Sequence, residues 1–174
     1  MASSSYSFAV MSMVVLLQLL LISASSTKYI NALCEHVENK TFCVQTLKAY
    51  PPVASASGKI PVAKAVLRLG ISYAQKSARL VAKAAANEEP NMKKQFEECE
   101  HAFWVIVADL KSAYSELKED AETANYDAQV CTDNTKIVKF LLGKNRDKAS
   151  KNIMTMTLKM EKLIALAVGA TELV

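Results

Sequence analysis

Four cysteines stand in two couples along this chain, and their number and spacing constrain the fold more than any other feature. Cys34 lies nine residues before Cys43, and Cys99 lies 32 residues before Cys131. An even number of cysteines without a CxxC pair favours disulfides over a zinc site or a thioredoxin-like redox centre. Each couple also brackets a break between helical segments, so the cysteines predict a cross-linked helical protein.

The amino terminus has the pattern of a secretory signal. Its first seven residues contain no acidic side chain, residues 8–22 are almost wholly apolar, and residues 23–26 are small. The apolar stretch of 15 residues would reach about 22 Å as a helix, short of the roughly 30 Å hydrocarbon core of a membrane. We therefore predict a cleaved signal peptide over residues 1–25 and a secreted protein. A retained membrane anchor is the alternative.

The remainder of the chain has the periodicity of helices. Apolar residues recur every three or four positions in four stretches, 63–85, 92–117, 121–142 and 153–170, which is the spacing of one buried helix face. Two shorter helical stretches, about 29–37 and 41–49, precede the breaker Pro51-Pro52. The sequence predicts one all-α domain over residues 26–174, an antiparallel four-helix bundle (about 58–171) with an N-terminal helical hairpin (about 28–50), stapled by disulfides.

The cysteine spacing indicates where the chain turns. In one continuous helix the Cα atoms of Cys99 and Cys131 would be about 48 Å apart, whereas a disulfide needs them within about 7 Å. A bond would require a reversal near residue 115, and the periodicity fails shortly afterwards, in Lys118-Glu119-Asp120. The same argument places a turn at residues 38–40. These turns favour the bonds Cys34–Cys43 and Cys99–Cys131, although four cysteines allow three pairings and free buried thiols are a further alternative.

A glycosylation sequon lies at the predicted tip of the hairpin. Asn39-Lys40-Thr41 is the only N-x-S/T sequence with a permitted middle residue. A hairpin tip is accessible to the modifying enzyme, so we expect that Asn39 can carry a glycan.

Groups that could support catalysis are scarce. The chain has two histidines, His36 and His101, and no phosphate-binding loop, HExxH or GxSxG motif. Glu98 and His101 have the Glu-x-x-His spacing of ferritin-like metal bundles once, without the required second copy. A net charge of +4 is also far from the dense basic surface of a nucleic-acid-binding protein. We predict no enzymatic activity, no cofactor, no metal and no nucleic-acid partner.

Side chains outside the apolar stripes are candidates for partner contacts. Tyr126 lies two residues from both Ala124 and Ala128, so it should point away from the core, and exposed aromatic residues are common interface anchors. Glu122, Asn125 and Tyr126 form the predicted target-contact surface. Trp104 is one position off its stripe and is predicted to pack under the hairpin.

Basic residues gather late in the chain. They form either a solvated helix end or a surface that adheres weakly to acidic polysaccharide, and they are Lys136, Lys139, Lys144, Arg146, Lys148 and Lys151.

Several of these features occur together in one known family. The chain from about Lys28 to Ala170 resembles the plant invertase and pectin methylesterase inhibitors in an ordered set of short sequences. These are Leu33-Cys34, Phe42-Cys43-Val44-Gln45-Thr46-Leu47, Tyr50-Pro51, Glu98-Cys99-Glu100 and Asp127-Ala128-Gln129-Val130-Cys131.

The resemblance implies a four-helix bundle with a helical hairpin and the bonds Cys34–Cys43 and Cys99–Cys131. It also implies a protein that blocks a carbohydrate-active enzyme by docking over its active cleft. The location that it implies is the apoplast or cell wall, with the vacuole as the alternative. Pectin methylesterase is the expected target because the Pro-Lys-Phe of some invertase inhibitors is absent and a basic end suits polygalacturonate. Invertase is the alternative target, supported by Asp127-Ala128-Gln129, and a carrier of a small apolar ligand is a more distant alternative.

Overall fold

The computed structural model describes residues 27–174, and every regular element in that range is helical. Three short helices come first: α1 over 27–35, α2 over Lys40–Lys48 and α3 over Pro51–Ala54. Four long helices follow: α4 over Lys59–Ala85, α5 over Pro90–Glu116, α6 over Ala121–Leu142 and α7 over Lys148–Glu172. The predicted signal peptide, residues 1–25, lies outside the described residues.

The long helices form a closed antiparallel bundle. Each packs on the next in sequence, and α7 completes the ring by packing on α4. The connections are short, 86–89, 117–120 and 143–147, so consecutive helices must run in opposite directions side by side. Each helix buries the apolar stripe that its sequence predicts, and the largest buried side chains include Phe96, Phe103, Leu110 and Met160. The predicted fold class is therefore confirmed.

The segment after the hairpin is more regular than its prolines suggest. Pro51 opens α3 instead of ending all helical structure, because its fixed φ suits the first turn of a helix. The left-handed Gly58, with φ 113°, then redirects the chain into α4, and a residue with a Cβ would be strained in that conformation.

The hairpin of α1 and α2 is closed by the disulfide Cys34–Cys43, with its Cα atoms 5.7 Å apart, as predicted. It packs against the end of α7 at Gly169. A Cβ at this position would meet Val37 Cγ2 at 3.1 Å and Leu33 Cδ2 at 3.8 Å. The glycine therefore allows the hairpin to approach α7 closely.

The structure corrects the second predicted disulfide. Cys99 and Cys131 are both buried and both free, and the Sγ of Cys131 lies 3.9 Å from the carbonyl oxygen of Ile106. The reason is the register of the α5–α6 pair. With α5 ending at Glu116 and α6 beginning at Ala121, the turn is centred near residue 118, not near residue 115. When the centre of the turn moves by a few residues, the residue that faces a given position on the other helix changes by twice as many, here by seven. Seven residues are about 10 Å along the helix, which is too far for a disulfide.

Candidate functional site

Helix α6 carries the candidate contact residues, and its start is fixed by Asp120. The Oδ1 atom of Asp120 accepts a hydrogen bond from the backbone nitrogen of Thr123 at 3.0 Å, and Oδ2 accepts one from the Thr123 hydroxyl at 2.8 Å. These bonds hold the pKa of the Asp120 carboxyl below its usual range, because they stabilise its charged form. A side chain of this kind is a strong N-cap, so the first turn of α6, including Glu122, is well defined.

Polar contacts with α7 fix the rotation of α6 about its axis. Asn125 Nδ2 donates to the carbonyl oxygen of Val168 at 3.2 Å and to the Thr171 hydroxyl at 2.8 Å. Farther along, the Thr135 hydroxyl donates to Glu161 Oε1 at 3.1 Å, and Lys139 forms an ion pair with the same carboxylate. Both ends of α6 are thereby tied to α7, so the opposite side of the helix is held toward solvent.

These contacts change the interpretation of Asn125. The sequence places it with Glu122 and Tyr126 on an outward surface, but its amide is half-buried and engaged with α7. Glu122 and Tyr126 are exposed, one helical turn apart, as expected.

The exposed side of α6 is unusually apolar. Phe140 is 88% exposed, Tyr126 is 66% exposed and Ile137 is 48% exposed. The buried side of α6 consists of Ala124, Ala128, Cys131, Thr135, Val138 and Leu142. The residues on the opposite side follow one another at spacings of four, seven, four and three, and we call them the α6 outer stripe: Glu122, Tyr126, Asp133, Ile137 and Phe140.

Sequence reasoning missed Ile137 and Phe140, although a signal was present. Phe140 lies two residues from both Val138 and Leu142, the same relationship to buried neighbours that Tyr126 has. Ile137 is one position from Val138 and three from Phe140, which places it on the same outer side.

The α6 outer stripe borders a groove between α5 and α6. This groove has a volume of about 550 Å³, and Ile137 and Asn134 form its α6 side. Its α5 side has positively and negatively charged side chains, and Lys94, Glu98 and His101 are among its residues. The floor of the groove is largely apolar, with Ala102 and Val105 beside Ile137. Exposed apolar side chains bordered by charged groups have the composition of a protein-binding surface, with apolar anchors and a polar rim.

The contacts bear on two other predictions about this region. Trp104 does not pack under the hairpin. It is 37% exposed on α5, and its indole nitrogen donates to Glu100 Oε1 at 3.1 Å, because its position one residue off the stripe points outward. The basic residues of the last third are partly neutralised, since Lys136 pairs with Asp133 at 2.8 Å and Lys139 pairs with Glu161.

The described part of the chain offers neither a metal centre nor a membrane span. Between residues 27 and 174, no three or more His, Cys, Asp or Glu side chains are grouped so as to hold a metal ion. Within the same range, no helix combines the length and the apolar character needed to cross a membrane.

Comparison with protein families decides the kind of protein. The model of the plant invertase/pectin methylesterase inhibitors matches residues 28–168, a span that includes the stapled hairpin, α4, α5, α6 and most of α7. The chain belongs to this family. The invertase/pectin methylesterase inhibitors are an inhibitor family, and the α6 outer stripe lies inside the matched domain.

Solved structures of invertase/pectin methylesterase inhibitors have the same fold. A mutant form of a pectin methylesterase inhibitor from Arabidopsis matches with a TM-score of 0.70 and 16% identity, covering 82% of this chain and 95% of that one. Another structure of a pectin methylesterase inhibitor, from Arabidopsis thaliana, matches with a TM-score of 0.56 and 16% identity, covering 80% of this chain and 91% of that one. Among curated proteins, none matches the chain.

Proposed function

We propose that this protein is a secreted inhibitor of a plant pectin methylesterase and that the α6 outer stripe docks over the active cleft of the target. The observation that carries the proposal is the line of exposed apolar side chains at Tyr126, Ile137 and Phe140 on one helix. Large apolar side chains exposed together on one side of a helix favour a protein partner that covers them.

The rigidity of the bundle suits this role. The α6 outer stripe is positioned by the Asp120 cap, by Asn125 and by the Glu161 cluster, so it needs little ordering when a partner binds. A preorganised surface loses less conformational entropy on association than a flexible one does. The apolar part of the stripe, from Tyr126 to Phe140, spans about 21 Å along the helix, which is long enough to cross an enzyme cleft.

The choice of target rests on the family and on its solved structures. The family name covers inhibitors of invertase and of pectin methylesterase, and the two solved structures described above are inhibitors of pectin methylesterase. Identity of 16% supports the fold alone, so the target stays a proposal, with pectin methylesterase as the first candidate and invertase as the second.

Export and glycosylation belong to the same proposal. Removal of residues 1–25 would release the chain into the cell wall space, and Asn39 would carry a glycan there. In the structure Asn39 is exposed, and its Oδ1 accepts a hydrogen bond from the backbone nitrogen of Phe42 at 3.0 Å. The cap uses the side-chain oxygen, so the amide nitrogen to which a sugar would be attached is not the capping atom.

The proposal is tested by titrating the purified mature protein against a plant pectin methylesterase and a plant invertase, at mildly acidic and at neutral pH. Stoichiometric inhibition of pectin methylesterase is the expected result. Inhibition of invertase alone would overturn the target, and inhibition of neither enzyme would overturn the inhibitor role. Displacement of a fluorescent fatty acid without inhibition of either enzyme would support the carrier alternative instead.

A further inference from the structure

All charged side chains of helix α4 are positively charged. Between Lys59 and Ala85 it contains no Asp or Glu, and its basic residues are Lys59, Lys64, Arg68, Lys76, Arg79 and Lys83. The basic residues that sequence analysis singled out, 136–151, lie elsewhere. A helix that carries charges of one sign creates a continuous field along its exposed side.

Most of these charges lie on one face. Arg68, Ser72, Lys76, Arg79 and Lys83 follow one another at spacings of four, four, three and four, and all five side chains are exposed. The buried side of α4, which includes Leu67, Ala74, Ala78 and Val81, is on the opposite side of the helix. We call the five exposed residues the α4 basic stripe. It is about 22 Å long.

No carboxylate neutralises the α4 basic stripe. The ion pairs of residues 27–174 involve Lys93, Lys118, Lys136 and Lys139, and none involves a residue of α4. Arg68 instead contacts an aromatic residue: its guanidinium lies 5.0 Å from the centre of the Tyr114 ring and donates to the Tyr114 hydroxyl. That contact orients the arginine and leaves its charge in place.

The side chains between the cations are uncharged and polar. Ser72, Gln75, Lys76, Arg79, Leu80 and Lys83 line one shallow groove of about 460 Å³. Arg and Lys bind carboxylates, and a hydroxyl and an amide in the same groove can exchange hydrogen bonds with sugar hydroxyls. Leu80 offers apolar surface for the face of a sugar ring.

We propose that the α4 basic stripe binds a linear acidic polysaccharide, with the carboxylates on the cations and the sugar hydroxyls on Ser72 and Gln75. The stripe has no aromatic side chain on which bases could stack, as single-stranded nucleic acids require. The apolar side of α4 is buried in the bundle, so it cannot insert into a membrane. The inference is independent of the proposed inhibitor role, because the stripe lies on α4 and not on α6.

The test is affinity electrophoresis of the full mature chain through gels that contain de-esterified polygalacturonate, fully methyl-esterified pectin or no polymer. The main variant combines Lys76→Gln, Arg79→Gln and Lys83→Gln. The matched control combines Lys144→Gln, Lys148→Gln and Lys151→Gln, which removes the same net charge from exposed positions outside α4. Circular dichroism and the Tm of each variant establish that it is folded.

We expect the α4 variant to bind polygalacturonate at least about tenfold more weakly. Its binding should also depend less on salt, because a complex with fewer ionic contacts releases fewer counterions when it forms. The affinity of the control variant for polygalacturonate should stay within about twofold of that of the unmodified protein, because its α4 contacts are intact. Any of three results would overturn the proposal: no retardation by polygalacturonate, equal losses in both variants, or equal binding to methyl-esterified pectin. Inhibition of pectin methylesterase in solution is measured separately on the same variants and should not change.

Discussion

Cys131 faces Ile106 across the α5–α6 seam, with its Sγ 3.9 Å from the carbonyl oxygen of Ile106. The thiol also lies 3.4 Å from the carbonyl oxygen of Asp127 in its own helix. Burial raises the pKa of both unpaired thiols, that of Cys99 to about 12, because a buried thiolate would be poorly solvated. Both cysteines therefore behave as small apolar core residues.

We predict that the protein has one disulfide and two unreactive thiols. Alkylation without reductant should label neither Cys99 nor Cys131 in the folded protein and both in denaturant, because thiolate is the reactive form and access is blocked. Peptide mapping should recover Cys34 linked to Cys43 in the same sample, which serves as the internal control. A linked peptide that joins Cys99 to Cys131 would contradict the observed register of α5 and α6.

The α5–α6 seam also contains a pair of like charges. Partial burial and the neighbouring charge of Asp127 raise the pKa of Asp109. A raised folded-state pKa means that protonation favours the fold, so this group destabilises the protein at neutral pH and the penalty disappears as pH falls through that pKa.

Replacing Asp109 by Asn should therefore increase the free energy of unfolding at neutral pH, by up to about 1 kcal/mol after solvent screening is allowed for. The gain should vanish in acid. Urea unfolding across the pH range measures it, with Asp127→Asn as the reciprocal variant and the double variant gaining little more. A loss of stability in Asp109→Asn at neutral pH would refute this account of the pair.

Asp147 caps α7 and should contribute stability with the opposite pH dependence. Its Oδ1 accepts a hydrogen bond from the backbone nitrogen of Ser150 at 2.7 Å, and that bond lowers the pKa of Asp147. Asp147→Ala should cost about 1 kcal/mol, and Asp147→Asn, which keeps an acceptor, should cost much less.

The sign follows from linkage. A lowered folded-state pKa gives stability that is present above the unfolded pKa of about 4 and is lost as pH falls through the folded value. Thermal unfolding should therefore separate Asp147→Ala from the unmodified protein most widely at neutral pH and less in strong acid, where the protonated carboxyl keeps only an uncharged acceptor. A pH-independent difference would show that the carboxylate charge is not involved.

The sequence predicts the helices well because each buried face repeats at the helical period. Between Met92 and Leu117 the apolar residues are spaced alternately by four and three positions without interruption, and this stretch forms α5. The sequence predicts the register between neighbouring helices less well, because the register depends on where each turn is centred. A difference of a few residues at Lys118-Glu119-Asp120 was enough to separate Cys131 from Cys99.

The candidate site was predictable in part for a similar reason. Periodicity identifies the outward direction of Tyr126 and, applied equally, that of Phe140. It does not reveal what an intermediate position contacts, so the engagement of Asn125 with Val168 and Thr171 is visible only once the helices are packed.

The inhibitor proposal assigns binding energy to particular side chains of the α6 outer stripe. Tyr126→Ala and Phe140→Ala should each weaken inhibition of pectin methylesterase by at least about 2 kcal/mol, roughly thirty-fold. Both side chains are highly exposed, so the Tm should change little. A large loss of Tm with unchanged inhibition would mean that these residues stabilise the bundle and do not contact the target.

The most direct measurement is an inhibition titration of pectin methylesterase with Ile137→Ala beside Leu158→Ala. Both residues are 48% exposed, but Ile137 lies on the α6 outer stripe and Leu158 lies on α7. The account predicts that Ile137→Ala raises the inhibition constant several-fold or more, while Leu158→Ala leaves it within about twofold of the unmodified protein. Equal effects of the two substitutions, or no inhibition by the unmodified protein, would contradict docking through α6.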